Sequence, residues 1–162
     1  LRKQLCGKYR PNHFESVVDV VDRFVKIIKP NKIFFGEKDM QQLKIIEEFI
    51  KRNKIETKVI SCKTIRERNG LAYSSRNFLL SSKSRKIASN IYKLLFKNKQ
   101  DLIKKKILLE EIKNKILKFG IKKIDYIKIL DVNKLIRPYK KNKRCKIFIA
   151  YYLNSTRLID NI

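Results

Sequence analysis

The sequence predicts an α/β protein: the second half of a Rossmann-like parallel-sheet domain, followed by a small α+β lid domain. Two observations lead there. Over residues 14–61, stretches with apolar residues at helical spacing alternate with short apolar runs of strand length, the pattern of helices crossing between parallel strands. After residue 77 that alternation gives way to two Lys-rich helical stretches and then three strand-like runs, the order of an α+β unit. The change of character places a partial Rossmann-like nucleotide-binding domain in residues 1–63 and a C-terminal α+β domain in residues 64–162.

Each element has its own warrant. Residues 14–29 carry Val17, Val18, Val21, Phe24, Val25 and Ile28 at helical spacing, and Pro30-Asn31 stops the helix. Residues 33–35 read as a buried strand. Residues 40–53 repeat the helical pattern through Leu43, Ile46, Phe49 and Ile50, and residues 57–61 read as the next strand. Residues 82–97 and 101–119 are amphipathic helices, the second closed by Gly120. Residues 124–130, 146–153 and 156–160 form a small antiparallel sheet covered by those helices. The lysine run at 104–106, like Lys140 and Lys141, reads as a solvated face or turn rather than a ligand site.

Three short segments carry the chemistry. In Phe34-Phe35-Gly36-Glu37-Lys38-Asp39-Met40-Gln41-Gln42 an apolar run breaks at a glycine just as a helix begins. Ligands of open α/β sheets sit outside the carboxyl ends of the strands, where unpaired helix N–H groups and the helix dipole favour an anion. Lys38 adds a mobile positive charge there. Asp39 with Gln42 three residues later also fits a capping box, and the two readings are compatible. The second segment, Asn69-Gly70-Leu71-Ala72-Tyr73-Ser74-Ser75-Arg76-Asn77, offers two hydroxyls and a guanidinium, which suit phosphate oxygens. An ordinary surface turn is the alternative. The third, Arg10-Pro11-Asn12-His13-Phe14, holds the single histidine of the chain, which also serves simply as the start of a helix.

Composition bounds what else the chain can be. At 43% hydrophobic over 162 residues it can bury one modest core or parts of two, and nothing approaches the ~20 apolar residues of a membrane span. No secretory signal is visible. Cys6, Cys62 and Cys145 are odd in number and widely spaced, which favours reduced cytoplasmic thiols over disulfides or zinc. A formal charge of +26 argues for the competing reading, a basic nucleic-acid-binding module. The lysines, however, are sprinkled through every helix alongside Ile and Asn rather than gathered with aromatics on one face, so no specific nucleic-acid partner is expected.

Taken together and in order, Leu5-Cys6-Gly7, Arg10-Pro11-Asn12-His13-Phe14, Phe35-Gly36-Glu37-Lys38-Asp39, Gln41-Gln42-Leu43, Gly70-Leu71-Ala72, Ser74-Ser75-Arg76-Asn77 and Arg157-Leu158-Ile159-Asp160-Asn161 resemble pantothenate synthetase, the pantoate:β-alanine ligase family. The resemblance is dense up to Asn77 and thin until the terminal run. It implies an AMP-forming ligase of the coenzyme A pathway, homodimeric and cytoplasmic, with ATP, pantoate and β-alanine as substrates and Mg2+ accompanying the ATP. Carried over by position, Gly36, Glu37, Lys38 and Asp39 are an ATP loop, Gln42 a pantoate ligand and Ile65 a backbone contact to adenine. Tyr73, Ser74, Ser75 and Arg76 are the second ATP segment. Lys38, Arg76 and His13 are the catalytic candidates, and no residue is assigned to a protein-held metal.

Three positions depart from the family pattern: Asn12 stands where Gly is usual, Tyr73 where Met or Leu is usual, and Lys63 where Pro is frequent. The family's H-x-G-H signature is absent and Met40 is the single methionine, so the expectation is a C-terminal portion of a longer protein, inactive alone.

Overall fold

A computed structural model describes residues 1–136 and 144–162; the expected turn at Lys140 and Lys141 lies outside the described residues. The chain divides into two compact units, Leu1–Lys63 and Thr64–Ile162.

In the first unit a single helical turn, α1 (Cys6–Tyr9), precedes α2 (His13–Ile28), β1 (Lys32–Gly36), α3 (Met40–Arg52) and β2 (Lys58–Cys62). The two strands are parallel, with Ile33 opposite Val59 and Gly36 opposite Cys62, so α3 is the crossover that parallel pairing requires. Val25 of α2 and Ile46 and Ile50 of α3 form the core, joined by Val17, Val18, Val21, Ile33, Phe35 and Val59. Here the structure corrects the expectation of a fully buried strand at 33–35. Successive side chains point to opposite faces, so Ile33 and Phe35 reach the helices while Phe34 remains 65% exposed. Gln41 at the start of α3 is buried and fastens the first residues of the chain. Its Oε1 accepts from the Cys6 amide at 3.0 Å, and its Nε2 donates to the carbonyls of Leu1 and Gln4 at 2.8 and 2.6 Å.

In the second unit α4 (Ser82–Ile103) and α5 (Leu109–Leu117) pack on an antiparallel sheet of order β3-β4-β5, with β3 at Lys123–Asp131, β4 at Cys145–Leu153 and β5 at Thr156–Asn161. Ile91, Leu95 and Leu102 of α4 meet Ile112 and Ile116 of α5 and Ile147 and Ile149 of the central strand. The Ser81 hydroxyl caps α4 by accepting from the Ser84 amide at 3.2 Å.

Spacing predicts that the first of these helices ends at residue 97; the structure carries it on to Ile103. A polar run without Gly or Pro does not stop a helix, and Asn98 donates to the Leu94 carbonyl at 2.7 Å within the same helix. Leu102, 2% exposed, draws the last turn into the core. The break falls instead at the lysine run 104–106, where Lys105 takes φ 58° and Lys106 donates back to the Asp101 carbonyl at 2.8 Å. All three lysines are exposed, as a turn requires.

Candidate functional site

In the first unit the candidate residues gather at the carboxyl end of β1. The chain leaves the strand at Gly36, makes one tight helical turn at Glu37–Asp39 and enters α3. Gly36 has φ −70°, which any residue adopts, and a Cβ added there meets no atom within 4 Å. Neither backbone strain nor packing inside the chain demands glycine there. Asp39 occupies the N-cap position of α3 but makes no side-chain cap hydrogen bond, so the expected capping box is not formed. The tight turn Glu37–Asp39 runs straight into α3, so the helical segment begins just after Gly36. The Lys38 ammonium lies 4.0 Å from the Asp39 carboxylate, and its side chain is only 16% exposed, against the full exposure expected for a mobile cation. Gln42, one position beyond the fastening Gln41, is half-buried.

His13 opens α2, as the helix-start reading of that segment has it. Asn12 precedes it at φ 59° and caps through no side-chain bond. Nε2 of His13 lies 2.8 Å from Arg10 Nη1. A guanidinium only donates, so this nitrogen accepts and the imidazole carries its proton on Nδ1.

In the second unit the loop from Thr64 to Ser81 is a small hairpin followed by a turn. Arg66 and Ala72 bridge antiparallel, the Tyr73 amide donates to the Ile65 carbonyl at 3.0 Å, and the Glu67 amide donates to the Leu71 carbonyl at 2.8 Å. Gly70 is obligatory here: its φ is +93°, and a Cβ would lie 2.2 Å from the Tyr92 ring. Arg66 pins the hairpin down. Its guanidinium lies 4.3 Å over the Tyr92 ring, donates to both oxygens of Asp160 on β5 at 2.7 and 2.9 Å, and reaches the Gly70 carbonyl at 3.1 Å. Burial, and after it the Asp160 charge, push the Tyr151 hydroxyl up, so it stays neutral.

The Ser74 hydroxyl accepts from the Arg76 amide at 3.3 Å, and the Asn77 amide donates to the Ser74 carbonyl at 3.0 Å. This turn presents Ser75 and Arg76 to solvent and leaves Tyr73 60% and Ile65 73% exposed. An open groove of about 750 Å3 runs beside it, lined among others by Arg68, Tyr73, Ser74, Ser75, Phe78 and Arg85. Two aromatic rings, two hydroxyls and the Arg68 guanidinium suit a ligand with a flat apolar part and an anionic part, while Arg85, also on the groove, is paired with Glu67.

Sequence reasoning missed the residues that hold this loop: Arg66, Glu67, Asn77 and Arg85. Glu67 accepts from Asn77 Nδ2 at 2.9 Å, Arg85 Nη1 at 2.8 Å and Asn69 Nδ2 at 3.2 Å. Burial raises its carboxyl, but the bonds from Asn77 and Arg85, the Arg85 charge and the bond from Asn69 outweigh it and hold Glu67 below the ordinary value. The available signal was the run Arg66-Glu67-Arg68 immediately before the Asn69-Gly70 turn.

A family model described as pantoate-beta-alanine ligase matches residues 1–162. The pantothenate synthetase of Sulfurihydrogenibium sp. (strain YO3AOP1) is 41% identical over 168 residues, covering 100% of this chain and 60% of that protein. That of Clostridioides difficile (strain 630) is 43% identical over 162 residues, covering 97% of this chain and 57% of that protein. Among solved structures, pantothenate synthetase from Thermus thermophilus superposes with a TM-score of 0.86 at 29% identity, over 99% of this chain and 59% of its own. Pantoate-beta-alanine ligase from Francisella tularensis, complexed with beta-gamma ATP and beta-alanine, superposes at 0.79 with 40% identity, over 99% of this chain and 54% of its own. The chain thus spans about three fifths of the length of the curated relatives it matches.

Proposed function

The chain belongs to the pantoate-beta-alanine ligase family, and from that premise we propose that it serves the ATP-dependent condensation of (R)-pantoate with β-alanine to pantothenate. In this reading a pantoate carboxylate oxygen bonds to the α-phosphorus of ATP and pyrophosphate leaves. The β-alanine amine then attacks the acyl carbon of the pantoyl adenylate, loses a proton and displaces AMP. The observation that carries the assignment is Gly36, open to approach at the carboxyl end of β1 and followed at once by a helical turn that carries Lys38.

Gly36, Glu37, Lys38 and Asp39 take the ATP phosphates in the first unit; Tyr73, Ser74, Ser75 and Arg76 take ATP in the second, with the Ile65 backbone toward adenine. Lys38 and Arg76 offset the negative charge that builds on the phosphates, and losing one such donor typically costs ~3 to 4 kcal/mol of transition-state stabilisation. Gln42 binds pantoate. His13, which lies 2.8 Å from Arg10, matches a family histidine and is assigned no proton transfer. In this reading magnesium arrives with the triphosphate.

The first unit is then part of a Rossmann-like domain and the complete enzyme a cytoplasmic homodimer, a compartment that three cysteines outside any disulfide suit. Among the described residues no helix is long and apolar enough to cross a membrane.

The test is pantothenate formation with ATP, pantoate and β-alanine, by this chain fused to the part of the Clostridioides difficile relative that it does not span. Product should appear only with all three substrates, and Lys38→Ala or Arg76→Ala should each slow it by roughly 100-fold or more. Product formation untouched by both substitutions would overturn the site assignment.

A further inference from the structure

We infer that Glu67 is a positioning residue for segment 73–76, holding both ends of that segment through one carboxylate. The role rests on the reading of Ser74, Ser75 and Arg76 as phosphate contacts. Just before the segment, the Ala72 carbonyl accepts from Asn77 Nδ2 at 3.0 Å; just after it comes Asn77 itself. The same Nδ2 donates to Glu67 Oε1 at 2.9 Å, so one amide group closes the loop and ties it to the carboxylate. Arg85 on α4 completes the frame, donating through Nη1 to Glu67 at 2.8 Å and through Nη2 to the Asn77 carbonyl at 2.9 Å. The second Glu67 oxygen accepts from Asn69 at 3.2 Å, whose carbonyl takes the Ser89 hydroxyl of α4 at 2.7 Å.

The division of labour follows burial. Asn77 is 4% exposed, whereas Ser75 and Arg76 face solvent. Buried residues set the loop and exposed ones are left to meet a ligand. A carboxylate is the group this hub requires, because it accepts at both oxygens and donates nowhere, whereas an amide in its place turns an N–H toward donors. Losing the carboxylate leaves one donor of Arg85 and one of Asn77 Nδ2 unmet, so the bonds from Asn77 to Ala72 and from Arg85 to the Asn77 carbonyl lose the anchor that aligns them.

The experiment compares the 162-residue chain with Glu67→Ala and Glu67→Gln by amide hydrogen exchange and by calorimetric titration with Mg·ATP and with adenosine. In Glu67→Ala, exchange at residues 73–77 should accelerate about tenfold or more while the strands of the antiparallel sheet stay at wild-type rates. ATP affinity should fall about tenfold or more and adenosine affinity by less than about twofold, with Glu67→Gln in between. A general loss of structure would weaken both ligands alike, so equal losses overturn the role. Unchanged exchange at 73–77 overturns it as well, whatever the titrations give. A wild-type chain that binds no ATP counts against the nucleotide reading, and exchange accelerated only at 73–77 would still support the clamp.

Discussion

Lys38 and Arg76, the two cations proposed as phosphate contacts, carry the same charge in different surroundings. Lys38 has its stem packed and its head beside Asp39, whereas Arg76 stands exposed on a turn that Asn77 and Glu67 frame. Removing Arg76 thus probes charge almost alone, while removing Lys38 also removes packing. Both candidates stand out in the sequence, because a cation close to a loop glycine or a pair of hydroxyls is a local pattern. The Glu67 hub was not, since its partners lie up to 18 positions away on a helix whose docking no local pattern reveals. Its charge has a measurable consequence. Folding lowers the Glu67 carboxyl below its ordinary 4.5, so its contribution is fully present above that value and is lost as pH falls through the lower folded value. Glu67→Gln should cost about 1 kcal/mol at neutral pH, a modest figure because Arg85 is partly exposed, and the gap should close in acid. Denaturant titrations of both proteins at pH 7 and near pH 3 check this; a gap undiminished in acid would show that the charge is not the cause.

At the scale of elements, α4 separates local preference from tertiary demand. Its polar run at 98–100 reads as an interruption, yet the helix persists because Leu102 lies on the same face as Leu95 and both are buried. Leu102→Ala should therefore destabilise the chain by roughly 2 to 5 kcal/mol, and Gln100→Ala by no more than about 0.5. Urea titration distinguishes this from a helix that ends at 97, for which Leu102→Ala would cost little. β1 teaches the converse. Its apolar triplet is correctly a strand, but composition does not say which face is covered, and Phe34 is left outside.

For the whole molecule, the excess of 26 positive charges is a statement about solubility and adhesion rather than fold. No comparison points to nucleic acid, and the charge is expected to act only as a diffuse attraction. Binding to unrelated duplexes should be indifferent to sequence and collapse between low and near-physiological salt, because counterion release supplies most of its free energy. Fluorescence anisotropy with two unrelated oligonucleotides at several salt concentrations tests this. A salt-tolerant preference for one of them would revive the basic-module reading.

The sequence by itself determined the alternation of helices and strands, the antiparallel sheet under two helices and the loops that carry Gly36, Lys38, Ser74, Ser75 and Arg76. Those features are written in spacing along the chain, and a period of 3.6 or 2 or a glycine before a cation needs no distant partner to be read. Tertiary structure alone decided that Gln41 fastens the chain's first residues, that Arg66 stacks on Tyr92 and clasps Asp160, and that Glu67 joins Asn77 to Arg85. The physical reason is common to all three. A buried polar group must find its partner wherever packing delivers one, and sequence separation places no limit on that search.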